Sequence, residues 1–472
     1  MENTHGKAIL ILMVIGTFMG ALDTTIVLLA LPDITGGLST NLSSSIWTII
    51  IYLLVVSIAT TQLGKIGDIY GRGKMFNLGF AVFTVGSALC GFSPSIGALI
   101  GFRALQATGG ALMQANSGAI IADTTPKEHR GKAFGYLTLG WNVGGMFGIV
   151  LGGIITTFIG WRYIFLINVP VGIIAAIIGA KYLTNKRSTA QKIDIKGMAL
   201  LGLTITALSY SLIDVASQGA SIYNGSLFLA GVFLGLIFIR NEKRTESPTI
   251  DIAAFKNRIL RNSILAAFFQ SLGYLAVVFV VIMYLQGIRG LSPLSASLLL
   301  VPGYVVSSMI SPYMGRLSDR FGSRVIATIG ILLMVLTVGV YLSLTLTSPL
   351  YVVLVASVFS GIGGAMFWPA NNRAVMSNAS GTQYGSISGL LRTVSNLGTI
   401  GSFVLSLVMA SLFVPRQVAF EVFVGTSKLI GGVSNAFLGG IDAAFVLSIV
   451  ILLIAAALSL TRGKETAISQ SN

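Results

Sequence analysis

Charged residues are scarce in this chain, and acidic residues are the scarcest. Only 10% of its 472 residues are charged, against about 25% in soluble proteins, and there are 15 Asp plus Glu against 30 Lys plus Arg. The single cysteine, Cys90, excludes an intramolecular disulfide. The two histidines, His5 and His129, lie far apart in sequence. We find no metal-ligand spacing, phosphate-binding loop or catalytic triad order, so the sequence predicts no metal, no cofactor and no enzyme activity.

Long apolar runs occupy most of the chain, and 54% of its residues are hydrophobic. A helix that crosses a bilayer needs roughly 20 mostly apolar residues. The first run is followed by no small-x-small cleavage site, so we interpret it as a spanning helix. The sequence therefore predicts an all-α polytopic membrane protein with fourteen transmembrane helices. The predicted spans are 8–31, 44–63, 75–93, 97–122, 133–157, 163–183, 196–216, 225–240, 262–287, 293–313, 324–347, 350–374, 386–413 and 441–461.

The distribution of Lys and Arg predicts the orientation in the membrane. With a cytoplasmic N-terminus, the segments on the cytoplasmic side hold 23 basic residues and the outer segments hold four. Because basic residues collect on the cytoplasmic side of membranes, both termini are expected there, in a multi-pass protein of the cell membrane. The net charge of +15 is thus interpreted as a topology signal, and nucleic acid is not expected as a partner.

An internal repeat predicts the domain organisation. The segment Gly64–Lys74 is matched by Gly315–Arg324 at an offset of 251 residues, and Thr108–Met113 is matched by Ile362–Phe367 at an offset of 254. Repeats inside a membrane chain point first to a transporter. The simplest scheme is a six-helix bundle over 1–183, two inserted helices with charged linkers over 184–261, and a second six-helix bundle over 262–472.

Three motifs together resemble the major facilitator superfamily, in particular its fourteen-helix drug:proton antiporter branch. They are the loop at 64–74, Leu22–Val27 with Ala30-Leu31-Pro32, and Trp161–Gly172. The resemblance implies the major facilitator fold and proton-driven export of hydrophobic or amphipathic organic compounds by alternating access. It also implies a small-molecule substrate, protons and membrane lipid as partners, no cofactor beyond the proton gradient, and a monomer.

Two departures from the branch pattern leave the direction of transport open. The fifth span reads Gly148-Ile149-Val150-Leu151-Gly152-Gly153, with Ile149 where the antiporter pattern has proline, and Leu28 stands where the branch has asparagine. Proton-coupled import of a metabolite therefore remains an alternative to export. A transport-inactive membrane receptor or scaffold is a third alternative.

The loop after the second span is predicted to form a cytoplasmic gate. Gly64 and Gly71 permit a tight turn. Asp68 can accept hydrogen bonds from a helix N-terminus in the other half of the protein. Arg72 can pair with Asp123 at the inner end of the fourth span. The alternative is a solvated turn. In the second copy Ser323 replaces the arginine, so a weaker or purely structural role is expected there.

Asp23 is the acid that falls deep within a predicted span. Charges at such depth are costly and usually face a cavity, so we predict that Asp23 loads and releases a proton, with substrate pairing as an alternative. Arg103, in a segment similar to the superfamily's fourth-helix signature, is predicted to support proton coupling. Because Arg103 stays protonated, it must find acceptors, either Asp23 or backbone carbonyls, unless it reaches the outer interface.

Glycines and polar side chains mark further candidates. The ladder Gly140, Gly144, Gly148 and Gly152, with Gly153, is predicted to pack the fifth span against a helix of the other half as a gate. The predicted substrate cavity is lined by Trp141, Asn142, Gln270, Tyr274, Trp368, Asn371 and Asn372. A short interfacial helix is expected between Pro248 and Arg261, and a hairpin within the outer loop 414–440.

Overall fold

The computed structural model describes residues 4–40, 42–183, 194–246, 248–250, 252–413 and 434–463, and the regular structure in these ranges is helical. The proposed hairpin in the loop 414–440 lies mainly outside the described residues. A short 3₁₀ helix, Ile252–Lys256, occupies the segment in which an interfacial helix is expected.

The helices are labelled in chain order. They are α1 (Thr4–Gly37), α2 (Leu42–Tyr70), α3 (Arg72–Gly91), α4 (Ile96–Thr124), α5 (Arg130–Phe158), α6 (Tyr163–Leu166), α7 (Asn168–Tyr182), α8 (Ile195–Gln218), α9 (Ile222–Glu242), α10 (Arg258–Met283), α11 (Pro293–Leu298), α12 (Val301–Phe321), α13 (Ser323–Tyr341), α14 (Tyr351–Ser377), α15 (Tyr384–Ser411) and α16 (Ser434–Thr461).

Twelve helices in the described residues are long and apolar enough to cross a membrane. The predicted spans 293–313 and 386–413 correspond to α12 and α15, which are not among these twelve. Both are full-length helices, of 21 and 28 residues, and in α12 serine, glycine and charged residues interrupt the apolar sequence. The count of fourteen spans therefore stays a prediction.

The helices form two groups with α8 and α9 beside them. In the first group α1 packs against α5, and α4 lies against α2 and α3; in the second, α14 packs against α12 and α13, and α10 lies against α15 and α16. The helix α8 contacts both α2 and α15. The helix α8 therefore lies at the boundary between the two groups, where Gln62 of α2 donates a 2.7 Å hydrogen bond to the carbonyl oxygen of Met198.

Two pairs of helices cross closely between the groups, α2 with α15 and α5 with α12. A Cβ atom on Gly64 would collide with the backbone of Gly385, and one on Gly315 would collide with the backbone of Gly131. All four glycines lie near the related loops 64–74 and 315–324, at one end of the helices. We call this end the motif end. The absence of side chains here allows the two halves to touch backbone to backbone.

The glycine ladder of α5 packs within the first group, so the prediction that it faces the other half is wrong. A Cβ on Gly144 would meet the carbonyl of Phe18, and one on Gly148 would meet Thr25, both on α1. Gly152 is buried, and Gly153 faces the second group, where a Cβ atom would lie 3.1 Å from Leu294. The reason is helical geometry: positions four apart share one face, and the face of α5 that meets α12 carries Gly131 and Gly135 instead.

We expect Gly315→Ala to destabilise the closed motif end. The added methyl group would meet backbone atoms of Gly131 and Lys132, which cannot move aside as a flexible side chain can. The expected loss is about 1–3 kcal/mol, as for other overpacked sites. The measurement is the melting temperature of the purified protein in detergent. Gly339→Ala is the matched control, because nothing lies within 4 Å of its Cβ position; equal melting temperatures for the two variants would contradict the close contact.

Candidate functional site

The side chain of Asp68 joins the two halves at the motif end. It lies near the end of α2, is 1% exposed, and points at the start of α15. Its Oδ1 accepts a hydrogen bond from the backbone N–H of Gly385 at 2.8 Å, and its Oδ2 accepts from the N–H and the hydroxyl of Ser386, each at 2.9 Å. These N–H groups belong to the first turn of α15 and have no partner within the helix, so the carboxylate satisfies them and faces the positive end of the helix dipole.

Arg72 extends this contact to a second acid and to the other half. Its guanidinium lies 2.6 Å from Asp68 and 2.5 Å from Asp123, and it donates a 2.8 Å hydrogen bond to the carbonyl oxygen of Gly381. The contact of Arg72 with Asp123 and that of Asp68 with a helix N-terminus of the other half are those predicted from the sequence, whereas the contacts of Arg72 with Asp68 and Gly381 were not predicted. Gly71 precedes α3 with a φ of 108°, a left-handed conformation that suits glycine and lets the chain turn sharply from α2 into α3.

Asp319 makes the equivalent contact from the second half to the first. It lies near the end of α12, and its two carboxylate oxygens accept hydrogen bonds from the backbone N–H groups of Gly131 and Lys132 at 2.8 and 3.0 Å, at the start of α5. The weaker or purely structural role expected for this second copy of the loop stays a prediction, although its carboxylate accepts from two backbone N–H groups, as that of Asp68 does. Arg373 of α14 lies 2.8 Å from Asp319 and donates to the Ser323 hydroxyl at 2.9 Å. An arginine from another helix thus takes the place of the one that the loop lacks.

Sequence reasoning missed Arg130 as a contact between the halves. This buried residue opens α5 and donates hydrogen bonds to the carbonyl oxygen of Met376 at 2.8 Å and to the Tyr384 hydroxyl at 3.0 Å. Both partners belong to the second group. Its position in a short basic segment between two spans identified it only as a topology signal, because spacing along the chain does not show which helix end lies opposite.

A second charged cluster lies inside the first group of helices. Arg103 Nη1 donates to Asp23 Oδ2 at 2.6 Å, and Gln106 Nε2 donates to Asp23 Oδ1 at 2.8 Å. Arg103 also donates from Nε to the carbonyl oxygen of Thr48 at 3.0 Å and stacks 4.5 Å from the centre of the Tyr52 ring. Asp23 is 0% exposed and Arg103 is 1% exposed, so Arg103 does not reach the outer interface.

The expectation that Asp23 faces a cavity is wrong for the conformation described. Its carboxylate has no exposed surface, and its two oxygens accept hydrogen bonds from Arg103 and Gln106 of α4. Asp23 also does not line the cavity that lies between the two halves of the protein. The physical reason is the paired arginine: a carboxylate that is fully hydrogen bonded to a cation and an amide does not require water to be stable at this depth.

A cavity of about 240 Å³ lies between the two groups of helices. Six of the seven side chains predicted to line a cavity contribute to its wall: Trp141, Asn142, Gln270, Tyr274, Trp368 and Asn372. Asn371 does not, which corrects that prediction. It is fully buried, donates to the carbonyl oxygen of Ser263 at 3.1 Å, and accepts from Arg462 at 3.3 Å. Neighbouring residues on a helix point about 100° apart, so Asn371 turns away from the cavity when Asn372 faces it.

Further wall residues were not predicted from the sequence, including Tyr304 and Ser307 of α12, Tyr341 of α13 and Arg392 of α15. Asn142 donates a 2.7 Å hydrogen bond to the Ser307 hydroxyl and thereby links α5 to α12 across one side of the cavity. The tyrosines could not be identified as wall residues from the sequence, since aromatic residues occur throughout membrane helices. Arg392 could have been found from the sequence, because it is a cation within a predicted span and such residues are usually functional.

Comparisons with known proteins agree with this architecture. The family model of the Major Facilitator Superfamily matches residues 13–403 and, in a second match, residues 263–471. The chain belongs to the major facilitator superfamily. This family and its fold are those of transporters rather than enzymes, and they support a location in a membrane.

Relatives in the superfamily carry several transport functions. The chain is 32% identical to the riboflavin transporter RibZ of Clostridioides difficile (strain 630), covering 88% of this chain and 89% of that protein. It is 30% identical to the tetracenomycin C resistance and export protein of Streptomyces glaucescens, covering 85% and 76%. The crystal structure of the human organic anion transporter MFSD10 (TETRAN) has the same fold, with a TM-score of 0.63, 15% identity, and coverage of 95% and 99%.

We expect the Asp23–Arg103 pair to contribute to stability as a unit. Arg103→Gln leaves the Asp23 carboxylate buried without its cation, and such losses cost about 3–5 kcal/mol. The double variant Asp23→Asn/Arg103→Gln is expected to lose less than the sum of the two single variants, because no unpaired charge remains. The measurement is unfolding by SDS titration from mild detergent. Arg316→Gln, at an exposed arginine, is the control; additive losses in the double variant would contradict the pairing.

Proposed function

We propose that this chain is a secondary active transporter that exports hydrophobic or amphipathic organic compounds by alternating access, driven by the proton gradient. The observation that carries the proposal is a cavity between the two halves with matched carboxylate contacts at one end, Asp68 on the start of α15 and Asp319 on the start of α5. Substrate sites of such carriers lie near the midplane between the repeats. The similarity to an exporter of an organic compound supports this direction of transport.

The motif end acts as a latch in this proposal. The predicted orientation places it on the cytoplasmic side, so the contacts of Asp68 and Asp319 hold that side closed. Each hydrogen bond to a charged group contributes about 1.5–3 kcal/mol. Two carboxylates that share four backbone N–H groups therefore hold the closed state firmly, yet the contacts are all polar and can be replaced by water when the halves separate.

Proton coupling is assigned to the pair of Asp23 and Arg103. Arginine stays charged, so it stabilises the ionised carboxylate, and protonation of Asp23 would remove that attraction. Arg103 would then depend on Gln106 and the carbonyl oxygen of Thr48. Because Asp23 is sealed in this conformation, proton exchange requires a conformation in which α1 and α4 separate. Binding of the proton is thereby tied to movement of helices.

Transport in vesicles tests the coupling. We expect Asp23→Asn to abolish accumulation of substrate driven by an imposed pH gradient, while exchange of labelled for unlabelled substrate without a gradient continues. The measurement is uptake of fluorescent cations, anions and neutral dyes into vesicles that contain the purified protein. Asp33→Asn is the matched control, because Asp33 is an exposed carboxylate on the same helix. If Asp23→Asn kept full gradient-driven accumulation, the assigned role would be wrong.

A second candidate function is proton-coupled import of a metabolite. The 32% identity to a riboflavin transporter supports a metabolite as the substrate, and riboflavin is the first compound to test. The sign of the internal pH change decides: with an exchange mechanism, substrate added outside drives protons in the opposite direction, whereas co-transport carries both in the same direction. Vesicles loaded with a pH indicator give this sign. Absence of transport for every compound and gradient would favour a receptor or scaffold instead.

A further inference from the structure

Arg392 is the one charged residue on the described wall of the cavity. The other polar wall residues are neutral amides and hydroxyls, such as Gln114, Gln270 and Asn396, and no carboxylate lines the cavity in the described part of the chain. A central cavity that held a cationic substrate would be expected to present a negative group. This wall presents the opposite charge.

The guanidinium of Arg392 has no partner among the residues that the structure describes. It makes no hydrogen bond, ion pair or ring contact with any of them, whereas Arg72, Arg103 and Arg130 each contact several groups. Its side chain is partly exposed, and the space it faces is the cavity. An arginine has five N–H donors in a planar fork, so an arginine without acceptors inside a membrane protein can bind an acceptor from elsewhere.

The internal repeat shows that Arg392 breaks a symmetric pattern. The helices α5 and α15 begin at residues 130 and 384, an offset of 254. At that offset Asn142 matches Asn396, and both line the cavity; Trp141 and Ser395 also match and also line it. Arg392 matches Thr138, which lines the cavity from the first half. The two halves therefore offer equivalent positions, but only the second half carries a charge there.

Aromatic side chains form another part of the wall. Trp141 and Trp368 lie on the lining together with Tyr274, Tyr304 and Tyr341. Planar aromatic molecules gain contact area and favourable ring geometry against such side chains. A ligand that satisfies both features has a flat apolar body and one acidic group, and an arginine fork binds a carboxylate through two parallel hydrogen bonds.

We propose that the cavity binds aromatic organic anions, with the acidic group of the ligand paired to Arg392. This inference rests on the proposed function only in taking the cavity as the substrate site. The ligand carboxylate supplies the acceptors that the guanidinium lacks, and the ring system packs against Trp141, Tyr304 and Trp368. The transported compounds are then acids, in contrast to the cationic drugs that an acidic cavity would select.

Equilibrium binding of three matched probes tests the proposal. The probes are 2-naphthoate, its neutral primary amide, and a naphthyl trimethylammonium ion, titrated calorimetrically into the purified full-length protein in lipid nanodiscs. We expect the carboxylate to bind at least tenfold more tightly than the amide, and the cation to bind most weakly. Equal affinity for the carboxylate and the amide, or tightest binding of the cation, would overturn the proposal.

Variants assign the preference to one residue. Arg392→Gln is expected to reduce carboxylate affinity tenfold or more while leaving amide affinity within about twofold, and Arg392→Lys should retain part of the preference because it keeps the charge but loses the fork. Arg258→Gln is the control, since it removes an exposed arginine at the start of α10. A preference that survives unchanged in Arg392→Gln would show that another group binds the acid.

Binding measurements keep this inference separate from the transport mechanism. A protein that binds the carboxylate selectively but shows no gradient-driven transport would support the anion site and contradict the proposed function. Gradient-driven transport of cations or neutral dyes, with no preference for the carboxylate over its amide, would support the proposed function and contradict the anion site. If Arg392→Gln does not fold, the order of the three probes on the unsubstituted protein and on Arg392→Lys still decides.

Discussion

The closed conformation depends on two helix N-termini that are each capped by a carboxylate from the other half. Asp68 satisfies the first turn of α15, and Asp319 satisfies the first turn of α5. Free N–H groups at a helix start need acceptors, and the helix dipole favours negative charge there. Each half therefore completes the hydrogen bonding of the other, and the arrangement is reciprocal because the two halves are repeats of one unit.

Close backbone approach makes these caps geometrically feasible. Glycines at 64, 385, 131 and 315 remove the side chains that would hold the crossing helices apart. The same helices carry serines and threonines toward their partners: Thr61 donates a 2.8 Å hydrogen bond to Thr393, between α2 and α15. This explains why α12 is less apolar than the other long helices. Its polar face meets protein and a cavity, so it does not have to be lipid-soluble on every side.

Charges inside the protein occupy separate environments. Asp23 and Arg103 neutralise each other within the first half, in a cluster with no exposed surface. Arg392 faces the cavity from the second half without a described partner. A buried pair is stable without a ligand, whereas a lone cation in a cavity is stabilised by whatever anion enters. In the proposed scheme the pair of Asp23 and Arg103 exchanges a proton, and Arg392 binds an organic acid.

The order of residues was sufficient to predict the all-helical membrane fold, the internal repeat and the family, because bilayer thickness sets the length of apolar runs and a repeat is visible in the residues. It also predicted the pairing of Arg72 with Asp123 and a helix N-terminus of the other half as the partner of Asp68, whereas the contact between Arg72 and Asp68 was not predicted. The direction in which each helix face points became known only from the packed helices. Packing placed the ladder of Gly144 and Gly148 against α1, turned Asn371 away from the cavity, supplied Arg373 to Asp319, and sealed Asp23 beside Arg103. These outcomes depend on how helices rotate and approach one another, and the pattern of residues along one chain does not specify that rotation.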